Sequence, residues 1–188
     1  MEILDIVDEN GNPTGKTIER ELAHQQGILH RTAHVWIVRN KEGVTQILLQ
    51  KRSDIKDSFP SCYDISSAGH IPAGVDFIPS AIRELKEELG YCAKEEELIY
   101  CGTRRFEFKG IFHDKPFYDN QVSHVYILWL DQDEEAFSLQ KEEVSQVKWF
   151  DFDDCINKVK HNLIHHCIYL EELEIVEKGI RIYDKGNH

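Results

Sequence analysis

The sequence contains no long apolar run and no cluster of Lys and Arg residues. Because a helix needs roughly 20 mostly apolar residues to span a bilayer, we expect no membrane partner. The first residues, MEILDIVDEN, lack the basic and apolar segments of a secretion signal, so we expect a cytoplasmic protein. The formal net charge of −12 disfavours a nucleic-acid polymer as partner, since such polymers are held through their phosphates. A small anionic substrate is compatible with this charge, because a bound metal ion reverses the local field.

Paired cysteine motifs, internal repeats and low-complexity segments are absent as well. The number of cysteines is odd and no CxxC spacing occurs, which predicts reduced thiols. The sequence identifies no histidine partner for any thiol, so we do not expect nucleophilic cysteine catalysis. A length of 188 residues suits one domain, which we assign to residues 1–188. The cysteines are Cys62, Cys92, Cys101, Cys155 and Cys167.

Apolar periodicity predicts a mixed α/β chain. A short apolar run and a turn-rich stretch predict a β-hairpin within an N-terminal extension, residues 1–30. Two amphipathic stretches predict a C-terminal helical segment, 151–188, with Asp151 or Asp153 as a helix cap. Mixed strands between two helical layers imply an α/β/α sandwich around a mixed β-sheet. The predicted strands are about 33–38, 46–50, 64–67, 98–108, 122–130 and 147–152. A polar loop containing Gly110 and Pro116 is predicted between 108 and 122. Apart from the helix described in the next paragraph, the predicted helices are about 18–23, one running to about 160, and 163–177, which stops at Gly179.

Residues 69–90, GHIPAGVDFIPSAIRELKEELG, carry the most informative pattern. The second half predicts a helix whose apolar face packs on a sheet and which ends at Gly90. Residues three and four apart share a helical face, so we expect the carboxylates of Glu84, Glu87 and Glu88 to converge within a few ångströms. Such charges repel unless a cation lies between them, and Mg²⁺ and Mn²⁺ prefer hard oxygen ligands. A solvated helix face is the alternative interpretation of this fragment alone.

Gly69 together with RELKEELGY at 83–91 resembles the signature of the Nudix hydrolases, and we call residues 69–91 the box. Val75 stands where that family has its first Glu, and Asp76 beside it is a candidate substitute. The resemblance implies a Nudix-type α/β/α sandwich and an enzyme that uses Mg²⁺ or Mn²⁺ to cleave a diphosphate bond in a small substrate, often a nucleoside diphosphate joined to another moiety. It also implies the site residues: Glu84, Glu87, Glu88 and the Gly69 carbonyl as the metal set, and Arg83 orienting Glu84 or its neighbour.

A narrower resemblance links other residues to the isopentenyl-diphosphate isomerases of the same superfamily. It rests on Arg52, Lys56, Phe59-Pro60, Asp64, Ser66 and Gly69-His70. By this resemblance, Arg52 and Lys56 hold a diphosphate, and Arg20 falls near a further basic residue of that site. His24, His30 and His70 fall where those isomerases place three metal-ligating histidines, which implies a second metal or substrate cluster; singly, each is more commonly a structural residue.

Two positions argue against isomerase chemistry. Ala68 stands where the isomerases have a cysteine before the Gly-His pair, and a methyl group transfers no proton. Gln121 stands where they have an acidic residue, and an amide does not titrate. We therefore favour hydrolysis and keep two alternatives: an isomerase with an altered acid-base pair, and a non-catalytic binding or regulatory module, which Val75 suggests.

The general base is left open between several acids. The family resemblance implies either one of the helix glutamates or an acid on a later loop. Glu142 and Glu143 precede the last predicted strand and are the main loop candidates, although we favour a plain acidic turn there. Glu107 and Asp119 are weaker candidates. The histidines at 161, 165 and 166 lack the spacing of a zinc site, so we expect a helix surface there. The sequence does not decide between a monomer and a homodimer.

Overall fold

The computed structural model describes residues 1–186, so the last two residues of the predicted segment 151–188 lie outside the described part. Short 3-10 turns occupy Glu95–Glu97 and Glu134–Ala136. The strands and helices, in chain order, are β1 (Ile3–Val7), β2 (Pro13–Glu19), α1 (Arg20–Gln26), β3 (His30–Lys41), β4 (Val44–Arg52), β5 (Tyr63–Asp64), β6 (Ser67–His70), α2 (Phe77–Leu89), β7 (Leu98–Phe112), β8 (Lys115–Trp129), β9 (Val144–Asp151), α3 (Phe152–Lys160) and α4 (Leu170–Gly186).

One mixed sheet forms the centre of the molecule. Its strands follow the order β5-β4-β3-β8-β7, with β6 paired to β3 and β9 paired to β4. β3 and β8 run parallel, and the other pairs are antiparallel. β1 and β2 pair with each other as the predicted N-terminal hairpin. β3 is buried on both faces because successive side chains alternate: Val35 and Ile37 face one apolar cluster, and Trp36 and Val38 face the other.

Helices cover both faces of this sheet. The apolar side of α2, with Ala81, Leu85 and Leu89, packs into the cluster that contains Val35 and Ile37. On the other face, α3 and α4 bury residues such as Cys155 and Val176 against β3, β4 and β8. The predicted α/β/α sandwich is therefore confirmed. Within residues 1–186, no helix is both long enough and apolar enough to cross a membrane.

The largest difference from the sequence prediction is a long hairpin formed by β7 and β8. Pairing continues from Leu98↔Leu128 to Phe112↔Lys115, so Gly110 and Pro116 lie inside strands and the predicted polar loop is wrong. The chain reverses at His113 and Asp114, which both have positive φ. The outer half of β7 alternates half-buried and exposed residues, and its polar positions concealed the strand.

Three helix predictions also need correction. α1 begins at Arg20 instead of about 18, because Ile18 pairs with Leu4 in the hairpin. α4 begins at Leu170 instead of 163 and continues through Gly179. A side chain at Gly179 would overlap the Cys101 side chain, so this glycine permits close packing of α4 on β7 and does not end the helix.

The residues around the C-terminal helices differ from the sequence prediction in two further details. Asp151 occupies the cap position of α3 but makes no capping hydrogen bond, because its carboxylate accepts from Gln46 on β4. The histidines at 161, 165 and 166 do not share a helix surface: His161 ends α3, and His165 and His166 lie in the segment before α4. His166 pairs with Tyr63 as an isolated parallel bridge.

Candidate active site

A cleft of about 1530 Å³ opens between the N-terminal hairpin, the loop after β4, α2 and the β7–β8 hairpin. His30 is fully buried behind its wall. Twelve other candidate residues from the sequence line this one cleft, so the fold brings them together; they are Arg20, His24, Arg52, Lys56, Gly69, His70, Arg83, Glu84, Glu87, Glu88, Glu142 and Glu143.

The glycine of the box lies against the first of the helix glutamates. A methyl group at Gly69 would overlap the side chain of Glu84, so the absence of a side chain allows β6 to approach α2 this closely. Arg83 Nη2 donates to Glu84 Oε1 at 2.5 Å and approaches the carbonyl of His70 at 3.5 Å. Arg83 therefore contacts Glu84 itself, one of the two options implied by the resemblance.

The three glutamates differ in environment. Glu88 is buried, Glu84 is half-buried and Glu87 is exposed. Burial raises the pKa of Glu88 to about 8, and the neighbouring charge of Glu84 adds to this rise. Burial also raises the pKa of Glu84, against the opposing effect of Arg83. In residues 1–186 these three carboxylates do not all lie within 4.8 Å of one another, so the structure does not show the close convergence that the sequence predicted; their like charges repel.

Val75 and Asp76 do not line the cleft. The Val75 carbonyl accepts a hydrogen bond from Arg31 at 2.9 Å, and its side chain packs against the core. Asp76 is exposed at the N-terminal cap of α2, where its carboxylate accepts from the Phe77 N–H at 2.8 Å. The structure thus does not place Asp76 where it would replace the missing Glu.

A second group of ligand-type side chains lies on the N-terminal side of the cleft. One ligand atom from each of His24, His30, His70 and Asp119 falls within 4.8 Å of all the others. His24 Nε2 and His30 Nε2 each lie 3.6 Å from Asp119 Oδ1, and His70 Nε2 lies 3.2 Å from His24 Nε2. His30 Nε2 and Asp119 Oδ1 are buried without a hydrogen-bond partner in residues 1–186.

The electrostatics of this group suit a cation. Burial lowers the pKa of His30, and burial together with the charge of Arg20 lowers the pKa of His70 well below its ordinary value. Burial alone would raise the pKa of Asp119, but the adjacent histidines hold it below its ordinary value. Neutral imidazoles and an ionised carboxylate are the protonation states in which these side chains bind metals.

The basic residues of the cleft already have protein partners. Arg52 donates to the carbonyls of Ser58 and Phe59 and to Asp64, at 2.9 to 3.2 Å. Lys56 Nζ pairs with Glu143 Oε2. Arg20 contacts Glu2 at 2.9 Å at the half-exposed edge of the cleft. Much of the Arg52 guanidinium is therefore used to hold the loop after β4.

The structure separates the two candidate bases. Both Glu142 and Glu143 line the cleft, but Glu143 lies close enough to Glu88 to contribute to the raised pKa of that carboxyl. Glu107 is exposed on β7 and outside the cleft lining. Asp119 belongs to the histidine group. Glu143 is thus the better placed acid.

The floor of the cleft carries a buried charged network that the sequence prediction missed. Glu172 on α4 accepts hydrogen bonds from His34 Nδ1, Trp36 Nε1 and Arg104 Nη1 at 2.7 to 3.0 Å. Burial opposes the Glu172 charge, but His34 and Arg104 hold the pKa of this carboxyl below its ordinary value. The sequence gives little signal for it, because these residues come from three distant elements, β3, β7 and α4.

The sequence prediction also missed contacts of Asp119 and Cys62. Asp119 precedes the predicted start of the strand at 122, and recognising the longer β8 would have placed it beside His30, since His30 pairs with Gln121. Cys62 has a histidine neighbour after all: its Sγ lies 3.3 Å from His165 Nε2. A separation of 103 residues concealed that contact.

Comparisons with known proteins agree on one family. The NUDIX domain model matches residues 28–170. An uncharacterized Nudix hydrolase of Clostridium acetobutylicum is 38% identical over 153 residues, covering 81% of this chain and 71% of that protein. Nudix hydrolase 3 of Arabidopsis thaliana is 41% identical over 160 residues, covering 83% of this chain, and this chain spans 20% of that protein's length.

More distant relatives extend the comparison. An isopentenyl-diphosphate Delta-isomerase of Pectobacterium atrosepticum is 28% identical over 155 residues, covering 82% of this chain and 79% of that protein. The crystal structure of DR0079 from Deinococcus radiodurans matches the fold with a TM-score of 0.65 at 18% identity, over 94% of this chain and 98% of that one.

Proposed function

Because this chain belongs to the Nudix hydrolase family, we propose that it cleaves the diphosphate bond of a small substrate, a nucleoside-diphosphate-linked or related compound, with Mg²⁺ or Mn²⁺. The observation that carries the proposal is the pair Glu84 and Glu88 beside Gly69 in the cleft. Burial of Glu88 with a raised pKa leaves a carboxylate that requires a cation to ionise at neutral pH.

The donor set fits a hard divalent cation. Carboxylate oxygens from Glu84, Glu87 and Glu88 and the carbonyl of Gly69 would hold it, and these are the ligands that Mg²⁺ and Mn²⁺ prefer. The ion supplies charge neutralisation for the departing phosphate and acidifies the attacking water. The side-chain space that Gly69 leaves open against Glu84 supports this assignment.

Side chains of the cleft would orient the metal ligand, bind the substrate and accept the proton of the attacking water. Arg83 holds the Glu84 carboxylate through a charge-assisted hydrogen bond. Lys56 and the free N–H groups of Arg52 attract the non-bridging oxygens of the substrate. Glu143 accepts the proton of the attacking water, and Lys56 positions that carboxylate before substrate arrives. Arg20 adds positive charge at the edge of the cleft.

The isomerase alternative has weaker support. Ala68 lines the cleft where a proton-donating thiol is required, and the Gln121 amide oxygen accepts from Thr32 at 3.0 Å, a role without proton transfer. The charged network of Glu172, His34 and Arg104 makes the cleft floor polar, which disfavours an apolar prenyl chain. A non-catalytic binding module rests on Val75 alone.

We propose that the histidine group is a second metal site, with His24, His30, His70 and Asp119 as ligands. The unpartnered, buried His30 Nε2 and Asp119 Oδ1 support it, because buried polar atoms without partners are rare. Imidazole ligands favour Mn²⁺, Zn²⁺ or a similar transition metal over Mg²⁺. The cluster then holds substrate near the glutamates, since His70 directly follows Gly69.

We further propose that residues 1–188 act as one catalytic unit in the cytoplasm, on a small molecule and not on a nucleic-acid polymer. The free cysteines and the charge of −12 support this assignment. We propose a monomer or a homodimer, two states that sedimentation in solution distinguishes.

A substrate panel tests the proposed function. Purified protein with Mg²⁺ or Mn²⁺ is incubated with nucleotide sugars, dinucleotides and prenyl diphosphates, and products are identified by ³¹P NMR and mass spectrometry. We expect two phosphate-containing products from at least one nucleoside-diphosphate compound, and loss of that activity in Glu88→Gln. Conversion of isopentenyl diphosphate to dimethylallyl diphosphate would instead establish the isomerase. Tight binding without turnover across the panel would establish the binding module.

A further inference from the structure

Two extended segments, 62–64 and 165–167, lie side by side at the edge of the sheet, where the first contains β5. The Tyr63 N–H donates to the His165 carbonyl at 2.8 Å, and the Cys167 N–H donates to the Tyr63 carbonyl at 3.1 Å. Tyr63 and His166 are the bridge partners. Because side chains alternate along extended chains, Cys62, His165 and Cys167 all project to the side opposite Tyr63 and His166.

Both thiols lie on that side. Cys62 Sγ lies 3.3 Å from His165 Nε2, and the Cys167 thiol donates to the Tyr63 carbonyl at 3.7 Å. The neighbouring Cys167 thiol lowers the pKa of Cys62, although burial opposes the shift, and Cys62 in turn raises the pKa of Cys167. The pair is therefore asymmetric: Cys62 has the greater thiolate character, and Cys167 retains its proton.

The other thiols lack these features. Burial raises the pKa of Cys101 to about 11 and that of Cys155 to about 12. Cys92 is exposed, and within residues 1–186 only Cys62 has an imidazole nitrogen within hydrogen-bond distance of its sulfur. The hydrolytic mechanism uses neither Cys62 nor Cys167, so their juxtaposition has no role in it.

We propose that Cys62 and Cys167 form a reversible disulfide on exposure to a hydroperoxide, and that this modification weakens the binding of diphosphate by displacing Arg52. Oxidation occurs at Cys62, next to the exposed His165, and Cys167 on the cleft wall resolves it. The covalent part is independent of the proposed function, whereas the effect on diphosphate binding rests on it.

The oxidation proceeds in two steps. The Cys62 thiolate attacks one oxygen of the hydroperoxide, the O–O bond breaks, and hydroxide or alkoxide leaves with the bonding electron pair to give a sulfenic acid after protonation. The Cys167 sulfur then attacks the Cys62 sulfur, the S–O bond breaks, and water leaves with the Cys167 proton. Overall, two thiols are oxidised to one disulfide and one hydroperoxide is reduced. A dithiol reverses the modification by thiol–disulfide exchange.

Arg52 connects this pair to the cleft. Its backbone N–H donates to the Cys62 carbonyl at 2.9 Å, and its guanidinium donates to Asp64 at 3.2 Å. Asp64 belongs to the first of the two segments and, two residues after Cys62, projects to the same side as the thiols. A disulfide requires both sulfurs to approach bonding distance, which shifts the segments that hold Arg52 and Asp64. The guanidinium then no longer presents its free donors to the substrate.

The modification is tested on the full chain by peptide mapping. Reduced wild type is treated with hydrogen peroxide, remaining thiols are alkylated, and peptides are compared with and without dithiothreitol. We expect a peptide pair joined through Cys62 and Cys167, lost on reduction and absent in Cys167→Ser. Cys92→Ser, the control at an exposed thiol, should form it as wild type does. No Cys62–Cys167 link, or a link mainly between other cysteines, would overturn the proposal.

The coupling to Arg52 is tested by calorimetric titration with inorganic pyrophosphate in Mg²⁺. We expect the oxidised wild type to bind about tenfold or more weakly than the reduced form, the scale of one lost charged hydrogen bond. Cys167→Ser should bind as reduced wild type does, before and after peroxide. Equal affinity of linked and reduced protein overturns the coupling. A reduced protein that does not bind pyrophosphate contradicts the proposed function and the coupling together, while peptide mapping still decides the disulfide.

Discussion

Gln50 Nε2 donates a hydrogen bond to Glu88 Oε2 at 3.2 Å, from the middle of the central sheet to the helix of the box. A neutral amide thereby faces the most deeply buried of the three box glutamates. An amide orients the carboxylate but does not balance its charge, so burial and the charge of Glu84 raise the pKa of Glu88 to about 8. This pair defines the resting state of the proposed metal site.

Glu88→Gln should stabilise the metal-free protein at high pH. The folded-state pKa of Glu88 is above its ordinary value of 4.5, so ionisation costs stability as pH rises from 4.5 through about 8. Glutamine does not ionise, so the metal-free variant should melt several degrees above wild type at pH 8.5 and close to it at pH 5. Scanning calorimetry at both pH values measures this.

The same experiment in Mg²⁺ supplies the complementary result. Saturating Mg²⁺ should raise the Tm of wild type and leave that of Glu88→Gln nearly unchanged, because a ligand is lost. Glu96→Gln, at an exposed acid away from the cleft, is the matched control and should respond as wild type does. A Glu88→Gln variant that is less stable than wild type at pH 8.5 without metal would contradict the proposed burial of charge.

Metal binding should release protons near neutral pH. Below a pKa of about 8, much of Glu88 is protonated in the metal-free protein, and a bound cation requires the ionised form. The apparent affinity should therefore rise with pH up to about 8. Titration calorimetry in two buffers with different ionisation enthalpies measures the released protons; identical heats in both buffers at pH 7 would disprove this linkage.

Replacing Glu143 should slow catalysis more than replacing Glu142. Glu143 contacts Lys56 and interacts with Glu88, whereas Glu142 is exposed. A general base contributes about 10²- to 10⁴-fold, so we expect a loss of kcat in that range for Glu143→Gln with a smaller change in KM. Glu142→Gln is the control. Equal activities of the two variants would remove Glu143 from the mechanism.

The histidine group should bind a transition metal. Calorimetry with Mn²⁺ or Zn²⁺ should show a second class of sites that persists in Glu88→Gln and is weakened about 10- to 100-fold or lost in Asp119→Asn, which replaces an anionic carboxylate with a neutral amide. His113→Ala, at an exposed histidine on the tip of the β7–β8 hairpin, is the control. Unchanged binding in Asp119→Asn would show that Asp119 is not a ligand.

Glu172→Gln should destabilise the fold in a pH-dependent way. The pKa of Glu172 is below its ordinary value of 4.5, so its stabilisation is present above pH 4.5 and is lost as pH falls through the folded-state pKa. Leaving Arg104 buried beside a neutral amide should cost about 3 kcal/mol at pH 7. Urea unfolding at pH 7 and pH 3.5 measures the difference, with exposed Glu174→Gln as the control. An equal loss at both pH values would indicate a packing defect instead.

Local sequence signals predicted the central features of this fold well. The apolar face of α2 and the Gly90 end follow from helical period and from a left-handed cap, which the structure has at φ 70°. The outer β7–β8 hairpin was missed because exposed strands carry polar residues that imitate a loop. The prediction for Gly179 was wrong because the sequence does not distinguish a glycine that allows close packing, here against Cys101, from a glycine that ends a helix.

The residues of the candidate site likewise fall into those that local sequence spacing predicts and those that only the fold brings together. The glutamates lie close in sequence, and a pattern of spacing is enough to find them. Two other contacts join residues far apart in sequence: Glu172 with Arg104, 68 positions apart, and Cys62 with His165, 103 positions apart. Local sequence periodicity gives no signal for such contacts. Asp119 is intermediate, since its place depends on the register of β8 beside β3.

The most direct test is a crystal structure of the full chain soaked with Mn²⁺ and inorganic pyrophosphate, with anomalous data to locate the metal. We expect an anomalous peak coordinated by the Gly69 carbonyl and by Glu84 and Glu88, with pyrophosphate oxygens completing the shell. Separated carboxylates with no peak between them, in a crystal where pyrophosphate or metal binds elsewhere, would contradict the proposed function.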